Sequence, residues 1–274
     1  MRSCRIAVNG VHLHVVEDGR GPAVLLLHGF PDSAHLWRHQ VPALVSAGYR
    51  AIVPDLRGFG ESDKPPEVEA YVTPILLADV IGVLDACNAE RVRVVAHDWG
   101  AAIAWLLAGM YPDRVERLVA LSVGHMNSFV AAGIEQREKS WYMLLFQFRG
   151  IAEDVLRRED WRLFREWTRG HPEAERWIPD LSRPGALTAG LNWYRANVPP
   201  ETLLAEPPEF PPVPVPTLGV WSDGDAYLIE RQMVDSAAHV TGRWRYERMT
   251  NASHWLQLDQ AAQCNRLLLD FLAS

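Results

Sequence analysis

The sequence of 274 residues has few cysteines, no excess of positive charge and no long apolar run. Its three cysteines, Cys4, Cys87 and Cys264, are far apart and form no CxxC pair, which excludes a disulfide framework and indicates free thiols of a reducing compartment. The net charge of −7 argues against nucleic-acid binding through phosphates. No apolar run approaches the roughly 20 residues that span a bilayer. We therefore expect neither a nucleic-acid partner nor membrane insertion.

The N-terminal segment also lacks the apolar core of a secretory signal, because Met1 is followed by Arg2, Ser3, Cys4 and Arg5. This absence, together with the free cysteines, predicts a cytoplasmic protein. A hydrophobic content of 48% is ample for a buried core. The length suits one large domain, or a core domain with a smaller insertion, as either a monomer or a homodimer.

Apolar runs typical of strands alternate with runs of helical spacing in the first half of the chain. Four runs are continuously apolar, as strands covered on both faces of a parallel sheet are. They are residues 24–27, 51–54, 92–96 and 118–123. Three runs with helical spacing are residues 41–47, 74–88 and 101–111, and Pro112 ends the last one. The alternation predicts an α/β fold with a doubly wound, mostly parallel sheet.

The composition changes after the fourth strand-like run. Residues 127–206 are rich in tryptophan, arginine and glutamate at helical spacing, which predicts an inserted helical cap. A proline-rich linker follows, and proline-rich segments favour extended geometry. Strand-like runs then return at 218–221 and 244–249, and helix-like runs at 228–238 and 260–272. The predicted organisation is a core built from residues 1–126 and 207–274, with the cap between them.

A short segment after the third strand-like run, His97-Asp98-Trp99-Gly100, is followed directly by a helix-like run. This layout is that of a nucleophile elbow, a sharp turn that lifts one side chain above the edge of a sheet. Aspartate at its centre, where serine is usual, favours attack on saturated carbon, because that reaction gives a stable ester. The positive end of the following helix stabilises the Asp98 charge. The alternative is that Asp98 is only a helix N-cap.

Two later loops supply a carboxylate and a histidine, in the order expected after a nucleophile in this layout. The first contains Asp223 and Asp225 after a strand-like run, and the second contains His254 after the last one. His254 can activate water when a carboxylate holds its other ring nitrogen. We favour Asp225 as this carboxylate, and Asp223 in the same turn is the alternative.

The loop at residues 28–31 follows the first strand-like run of the core. In a hydrolase, the backbone N–H groups of Phe30 and Trp99 would stabilise an oxyanion. We interpret His28 as a brace for this loop. His35 and His39 are four residues apart but lack a third ligand, so we expect no metal site there.

These motifs resemble those of α/β-hydrolases of the epoxide hydrolase group, which is close to the haloalkane and haloacid dehalogenases. The matching positions are 28–31, 55–60, 97–100, 225 and 254–255, and they extend over most of the core. In the cap, Tyr142 and Tyr194 are similar to the two lid tyrosines of epoxide hydrolases. The resemblance implies that both phenols bind and protonate the oxygen of an opening epoxide ring.

The resemblance further implies hydrolysis of a small apolar epoxide to a vicinal diol. Asp98 would form an ester with the substrate, and His254, oriented by Asp225, would activate the water that cleaves it, without a cofactor or metal. The residues expected to contact the substrate are Phe30, Trp99, Trp193 and Trp255. One alternative is a haloalkane or haloacid dehalogenase with the same machinery, since Trp99 would also suit a halide. A less favoured alternative is a non-catalytic ligand-binding protein on this scaffold.

Overall fold

The computed structural model describes residues 2–204 and 208–274 and contains an eight-stranded sheet. The strands are β1 (Arg2–Val8), β2 (Val11–Gly19), β3 (Ala23–Leu27), β4 (Arg50–Pro54), β5 (Val92–His97), β6 (Val115–Leu121), β7 (Thr217–Ser222) and β8 (Trp244–Met249). Their spatial order is β1-β2-β4-β3-β5-β6-β7-β8. From β4 to β8 all neighbours are parallel, whereas β2 pairs antiparallel with both β1 and β4. The sheet is therefore mostly parallel, which confirms the predicted fold class.

Burial on both faces explains why the central strands were visible as continuous apolar runs. All residues of β7 and nearly all of β3, β4 and β5 are buried. The predicted runs at 24–27, 51–54 and 92–96 lie within β3, β4 and β5, and the run at 244–249 coincides with β8. The run at 118–123 was displaced toward the C-terminus, because β6 ends at Leu121.

The hairpin formed by β1 and β2 was not predicted. In β2 the residues Leu13 and Val15 are buried, whereas His12 on the opposite face is exposed. β1 is exposed over much of its length and lies at the edge of the sheet. Such alternation belongs to an antiparallel sheet with one solvated face and gives no continuous apolar run.

Helices occupy most of the remaining chain. They are α1 (Gln40–Ser46), α2 (Thr73–Ala86), α3 (Trp99–Met110), α4 (Met126–Ala131), α5 (Gly133–Lys139), α6 (Trp141–Phe146), α7 (Ile151–Trp167), α8 (Ala174–Leu181), α9 (Ala186–Asn197), α10 (Glu230–Val234), α11 (Leu256–Asp259) and α12 (Ala261–Ala273). Short 3-10 helices lie at Ala34–Trp37, Val68–Tyr71, Pro112–Arg114, Pro200–Leu203 and Asp235–His239. Within the described residues, no helix has the length and apolarity to cross a membrane.

Between β6 and β7, the regular structure from α4 to the 3-10 helix at Pro200–Leu203 consists of helices joined by turns, all within the described residues. We call residues 126–204 the cap segment. Its longest helix, α7, is interrupted at residues 158–161, where three residues have left-handed backbone angles. The predicted end of the cap at Glu206 and the start of the linker at Pro207 lie outside the described residues. The division of the chain into separate domains stays a prediction.

The candidate residues lie on loops at one edge of the sheet. Phe30, Asp98, Asp225 and His254 follow β3, β5, β7 and β8, which are parallel strands. The carboxyl ends of parallel strands meet at the same edge, where α/β proteins place their sites. The cap segment packs against this edge, because the ring of Tyr194 contacts that of Phe30.

Candidate active site

Asp98 occupies a strained turn between β5 and α3. Its φ of 53° lies in the left-handed region, which non-glycine residues rarely adopt. Two glycines make room for this turn. A Cβ on Gly29 would overlap the Asp98 carboxylate, and a Cβ on Gly100 would overlap the carbonyl oxygens of the β3 end and the next loop. The carboxylate therefore stands above the sheet edge, as in a nucleophile elbow.

The Asp98 carboxylate is held by a backbone N–H of a neighbouring loop and makes no helix-capping hydrogen bond. Phe30 N–H donates to Asp98 Oδ1 over 2.8 Å. The backbone of Trp99, at the start of α3, also stabilises the charge. The helix-cap interpretation is thus unsupported. Of the two N–H groups predicted to bind an oxyanion, that of Phe30 lies beside Oδ1 of Asp98, and that of Trp99 helps to hold the charge of the carboxylate.

His254 lies between Asp98 and Asp225. Its Nδ1 is 2.8 Å from Asp225 Oδ2, and its Nε2 is 3.5 Å from Asp98 Oδ2. Asp223 instead accepts a hydrogen bond from the backbone N–H of Asn251. Backbone N–H groups of Tyr227 and Leu228 donate to Asp225 Oδ1, which orients its other oxygen toward His254. Between the two aspartates of this turn, the geometry therefore selects Asp225 as the partner of His254.

The charges of this trio are coupled. Burial would lower the pKa of His254, but Asp225 and Asp98 together raise it to about 10. Burial opposes ionisation of Asp98, yet contact with His254 holds the pKa of its carboxyl below the usual value. At neutral pH the resting site is an imidazolium between two carboxylates.

The backbone of His254 is also fixed, by two side chains that sequence reasoning missed. His97 Nε2–H and the Ser122 hydroxyl donate to the His254 carbonyl over 2.9 and 3.0 Å. Burial lowers the pKa of His97 to about 3, so this ring is neutral beside the charged one. His97 directly precedes Asp98, but a buried histidine at a strand end gives no separate sequence signal.

The two cap tyrosines lie close to each other. Tyr142 on α6 and Tyr194 on α9 are 4% and 2% exposed, and their ring centroids are 6.0 Å apart in a T-shaped arrangement. Burial raises the pKa of both phenols well above the usual value, and the Asp98 carboxylate adds to this. Both hydroxyls therefore stay protonated and can donate hydrogen bonds.

Trp99 and Trp193, two of the residues predicted to contact the substrate, pack against each other, and Trp99 also packs against Tyr194. The ring of Trp99 contacts that of Tyr194 at 5.1 Å and that of Trp193 at 5.8 Å. Trp193 is fully buried, and its indole N–H donates to the carbonyl of Arg57. Contact of these tryptophans and Phe30 with a substrate stays a prediction.

The ring of Trp255 contacts the imidazole of His254, with the two ring centroids 5.3 Å apart. Its indole N–H donates to Asp32, and so does that of Trp177 on α8 of the cap segment. Burial raises the pKa of Asp32 to about 7, although both indole hydrogen bonds act in the opposite direction. Sequence reasoning missed this carboxylate, which joins the core to the cap segment.

His28 braces its loop as interpreted. Its Nδ1–H donates to the carbonyl of Gly29, and its Nε2 accepts from the backbone N–H of Leu56. Among the described residues there is no group of three or more histidine, cysteine, aspartate or glutamate side chains that could hold a metal ion.

Comparisons with known proteins place the chain in a family. The family described as alpha/beta hydrolase fold matches residues 22–261. The AB hydrolase superfamily protein YfhM of Bacillus subtilis is 35% identical, over 97% of this chain and 96% of its own length. An epoxide hydrolase of Caballeronia sordidicola is also 35% identical, over 97% of this chain and 92% of its own length.

A solved structure of an epoxide hydrolase has the same fold as this chain. The epoxide hydrolase of Bacillus megaterium, crystallised with an inhibitor, superimposes with a TM-score of 0.89 and 27% identity, over 99% of this chain and 100% of that one. The fold, the arrangement of Asp98, Asp225 and His254, and these similarities lead to one assignment. The chain belongs to the α/β-hydrolase family, in the epoxide hydrolase group, and is a hydrolytic enzyme.

Proposed function

We propose that the protein hydrolyses epoxides to vicinal diols through an ester on Asp98. The main support is the geometry around this carboxylate. One oxygen, Oδ1, accepts from the Phe30 N–H, and the other, Oδ2, faces the imidazolium of His254. Related proteins bear the name epoxide hydrolase, and two buried phenols lie on the cap side of the site.

In the first step, Asp98 Oδ2 attacks a ring carbon and the carbon–oxygen bond on its far side breaks. The departing oxygen is a strong base, so the reaction needs a donor as the bond breaks. Tyr142 and Tyr194 bind this oxygen, and one of them gives it a proton. The products of the step are a hydroxyalkyl ester of Asp98 and a phenolate.

Esterification removes the negative charge of Asp98, which is one of the causes that raise the pKa of His254. The imidazolium then loses its proton more easily and can act as a base in the second step. That proton restores the phenol. Formation of the ester therefore makes neutral His254 available as the base for hydrolysis of that ester.

In the second step, neutral His254 takes a proton from water and the hydroxide attacks the ester carbonyl of Asp98. The negative charge develops on Oδ1, where the N–H groups of Phe30 and Trp99 stabilise it. The ester bond breaks, the proton on His254 neutralises the departing oxygen, and the diol leaves. The carboxylic acid formed on Asp98 then gives its proton to His254, which restores the resting carboxylate and imidazolium. The sum of both steps is epoxide plus water to diol.

A His254→Gln variant tests this proposal. It retains the nucleophile but lacks the base, so we expect the ester to accumulate and kcat to fall by about a thousandfold or more. Intact-mass spectrometry after addition of styrene oxide should show an increase equal to the mass of one substrate molecule. An Asp98→Ala/His254→Gln double variant is the control and should show none. An unmodified mass for His254→Gln, in spite of wild-type turnover, would contradict the ester.

A second candidate function is hydrolysis of haloalkanes, because Trp99 directly follows the nucleophile and its indole could bind a halide. Against it, the ring of Trp99 packs against Tyr194, whose phenol a halide does not require. Tyr194→Phe separates the two candidates. The variant should lose epoxide hydrolysis, whereas halide release from a haloalkane, if it occurs, should be unaffected.

A further inference from the structure

A surface cleft lies where the cap segment meets the loop that carries Asp225. Its volume is about 440 Å³, and its lining includes Trp141, Arg169 and Ala226. Ala226 directly follows Asp225, and Trp141 directly precedes Tyr142. Two residues that line the cleft are therefore direct chain neighbours of two residues of the candidate active site.

Each of these three lining residues has a close chain neighbour with a buried aromatic ring. The neighbours are Tyr142, Trp167 and Tyr227, which are between 4% and 7% exposed. Their ring centroids are 5.6 Å apart for Tyr142 and Tyr227, 5.3 Å for Tyr142 and Trp167, and 5.2 Å for Trp167 and Tyr227. The three rings contact one another pairwise, and we call them the three-ring plug.

The three-ring plug borders the catalytic base on its inner side. The ring of Tyr227 contacts the imidazole of His254 at 5.1 Å, nearly perpendicular to it. Tyr142 belongs to the plug and is also a proposed proton donor. The plug is thus in contact with His254 on one side, while chain neighbours of its three rings line the cleft.

Hydrogen bonds hold the plug closed between the core and the cap segment. The Tyr227 hydroxyl donates to the backbone carbonyl of Trp167, at the end of α7, over 2.6 Å. Lys139 Nζ, from α5, donates to the carbonyls of Asp225 and Leu228 on either side of Tyr227. The ring of Tyr227 can thus move away only when one side-chain hydrogen bond to the cap segment breaks.

The plug also contains a buried hydrogen-bond donor that has no acceptor among the described residues. The indole N–H of Trp167 is buried and has no partner among the described residues. A buried N–H without an acceptor destabilises the closed arrangement relative to one in which it is paired. An oxygen atom that enters between the rings would supply the missing acceptor.

We propose that the three-ring plug is the gate between the cleft and the active site, with Tyr227 and Trp167 as its specificity-determining residues. The gate admits epoxides with a slender substituent, about the width of one aromatic ring. The Trp167 N–H binds the oxygen of the epoxide or diol in transit. This gate deepens the proposed function, on which it rests. Rotation of the rings belongs to the motions that commonly limit enzyme turnover.

The first test opens the gate. We expect Tyr227→Ala to increase the ratio of kcat/KM for trans-stilbene oxide to that for styrene oxide by about tenfold or more, the size of effect typical of an apolar pocket wall. If circular dichroism shows that this variant does not fold, Tyr227→Leu replaces it with the same expected direction. The matched control is Tyr71→Phe, since Tyr71 is a buried tyrosine whose hydroxyl also donates to a backbone carbonyl. Its ratio should equal that of the wild type.

The second test fills the cleft. Ala226→Phe places a ring in the cleft and should lower kcat/KM for both epoxides, more strongly for stilbene oxide. An unchanged ratio in the folded Tyr227 variant, or wild-type kcat/KM in Ala226→Phe, would overturn the gate while leaving the proposed function intact. If the folded wild type turned over neither epoxide, the proposed function would fail and the gate with it.

Discussion

The position of His254 between two carboxylates links the chemistry of the site to the stability of the fold. Its folded pKa of about 10 lies above the ordinary histidine value of 6.5. The protonated ring therefore stabilises the folded state fully below about pH 6.5, and this contribution is lost as the pH rises toward 10.

This linkage gives a prediction for the variant that lacks the ring. Between pH 7 and pH 9.5, the free energy of unfolding of the wild type should fall more steeply than that of His254→Gln, by up to about 1.4 kcal/mol per pH unit. Urea unfolding of both proteins over this range measures the two slopes. Parallel slopes would mean that His254 is not charged in the resting protein.

The site residues differ in how readily they could be identified from the sequence. Asp98 and His254 follow strand ends in an ordered layout, so chain order alone suggested them. Asp223 and Asp225 share one turn, and only the position of Nδ1 distinguishes them. Tyr227 and Asp32 gave no signal, because a buried aromatic residue or a polar residue in a turn has the same sequence pattern whether it packs or acts.

Among the contacts between elements, Asp32 connects the loop after β3 to α8 of the cap segment and to the residue after His254. Its pKa is raised from 3.8 to about 7, mainly by burial. A carboxyl with a raised pKa stabilises the fold fully below about pH 4, and this contribution is lost as the pH rises through about 7. The stabilisation that Asp32 gives to the contact between the core and the cap segment therefore decreases as the pH rises from about 4 to about 7.

Asp32→Asn tests this contact. From about pH 4 to about pH 7, the wild type should lose up to about 4 kcal/mol of unfolding free energy relative to the variant, which has no carboxyl to titrate. Chemical unfolding at several pH values gives this difference. A difference that does not change with pH would show that Asp32 titrates normally.

A buried ion pair fixes the two tyrosine-bearing helices of the cap segment. Arg195, next to Tyr194 on α9, donates to both carboxylate oxygens of Glu153 and to the carbonyl of Phe146 at the end of α6. The side chains of Arg195 and Glu153 are 3% and 9% exposed. Loss of one partner leaves the other charge buried, which is more damaging than loss of both.

Arg195→Met should therefore lower the free energy of unfolding by about 3–5 kcal/mol, and the Glu153→Gln/Arg195→Met double variant by less. Both should also lower kcat, because Tyr142 and Tyr194 lose their fixed separation. Urea unfolding and styrene oxide turnover measure the two effects. A double variant less stable than the single one would contradict the account of a buried, paired charge.

Strands whose residues are uniformly buried could be predicted from the sequence, whereas the hairpin whose residues alternate between buried and exposed could not. Strands covered on both faces appear as continuous apolar runs, so β3, β4, β5 and β7 were located to within a residue or two at each end. The partly exposed edge strand β8 was located as well. The hairpin of β1 and β2 alternates between buried and exposed side chains and was missed. The Asn9-Gly10 pair at its turn is a known hairpin signal, and its positive φ angles agree with it.

For the molecule as a whole, the central feature is the position of the Asp98 carboxylate, at the sheet edge against which the cap segment packs. The sheet holds Asp98 in a strained turn, two late loops supply its charged partners, and the cap segment brings two phenols to the opposite side. The proposed reaction requires all three parts, and the three-ring plug closes the space between them. The hydrolytic oxygen is the atom that reports whether Asp98 is the nucleophile.

A single turnover in heavy-oxygen water tests this most directly, with excess enzyme over styrene oxide and mass spectrometry of both the diol and the peptide that contains Asp98. Water attacks the ester carbonyl in the proposed reaction. The heavy oxygen should therefore appear in the Asp98 carboxylate, and the diol should carry only light oxygen. A diol that contains heavy oxygen, together with an unlabelled Asp98, would show that water attacks the epoxide directly and would contradict the ester mechanism.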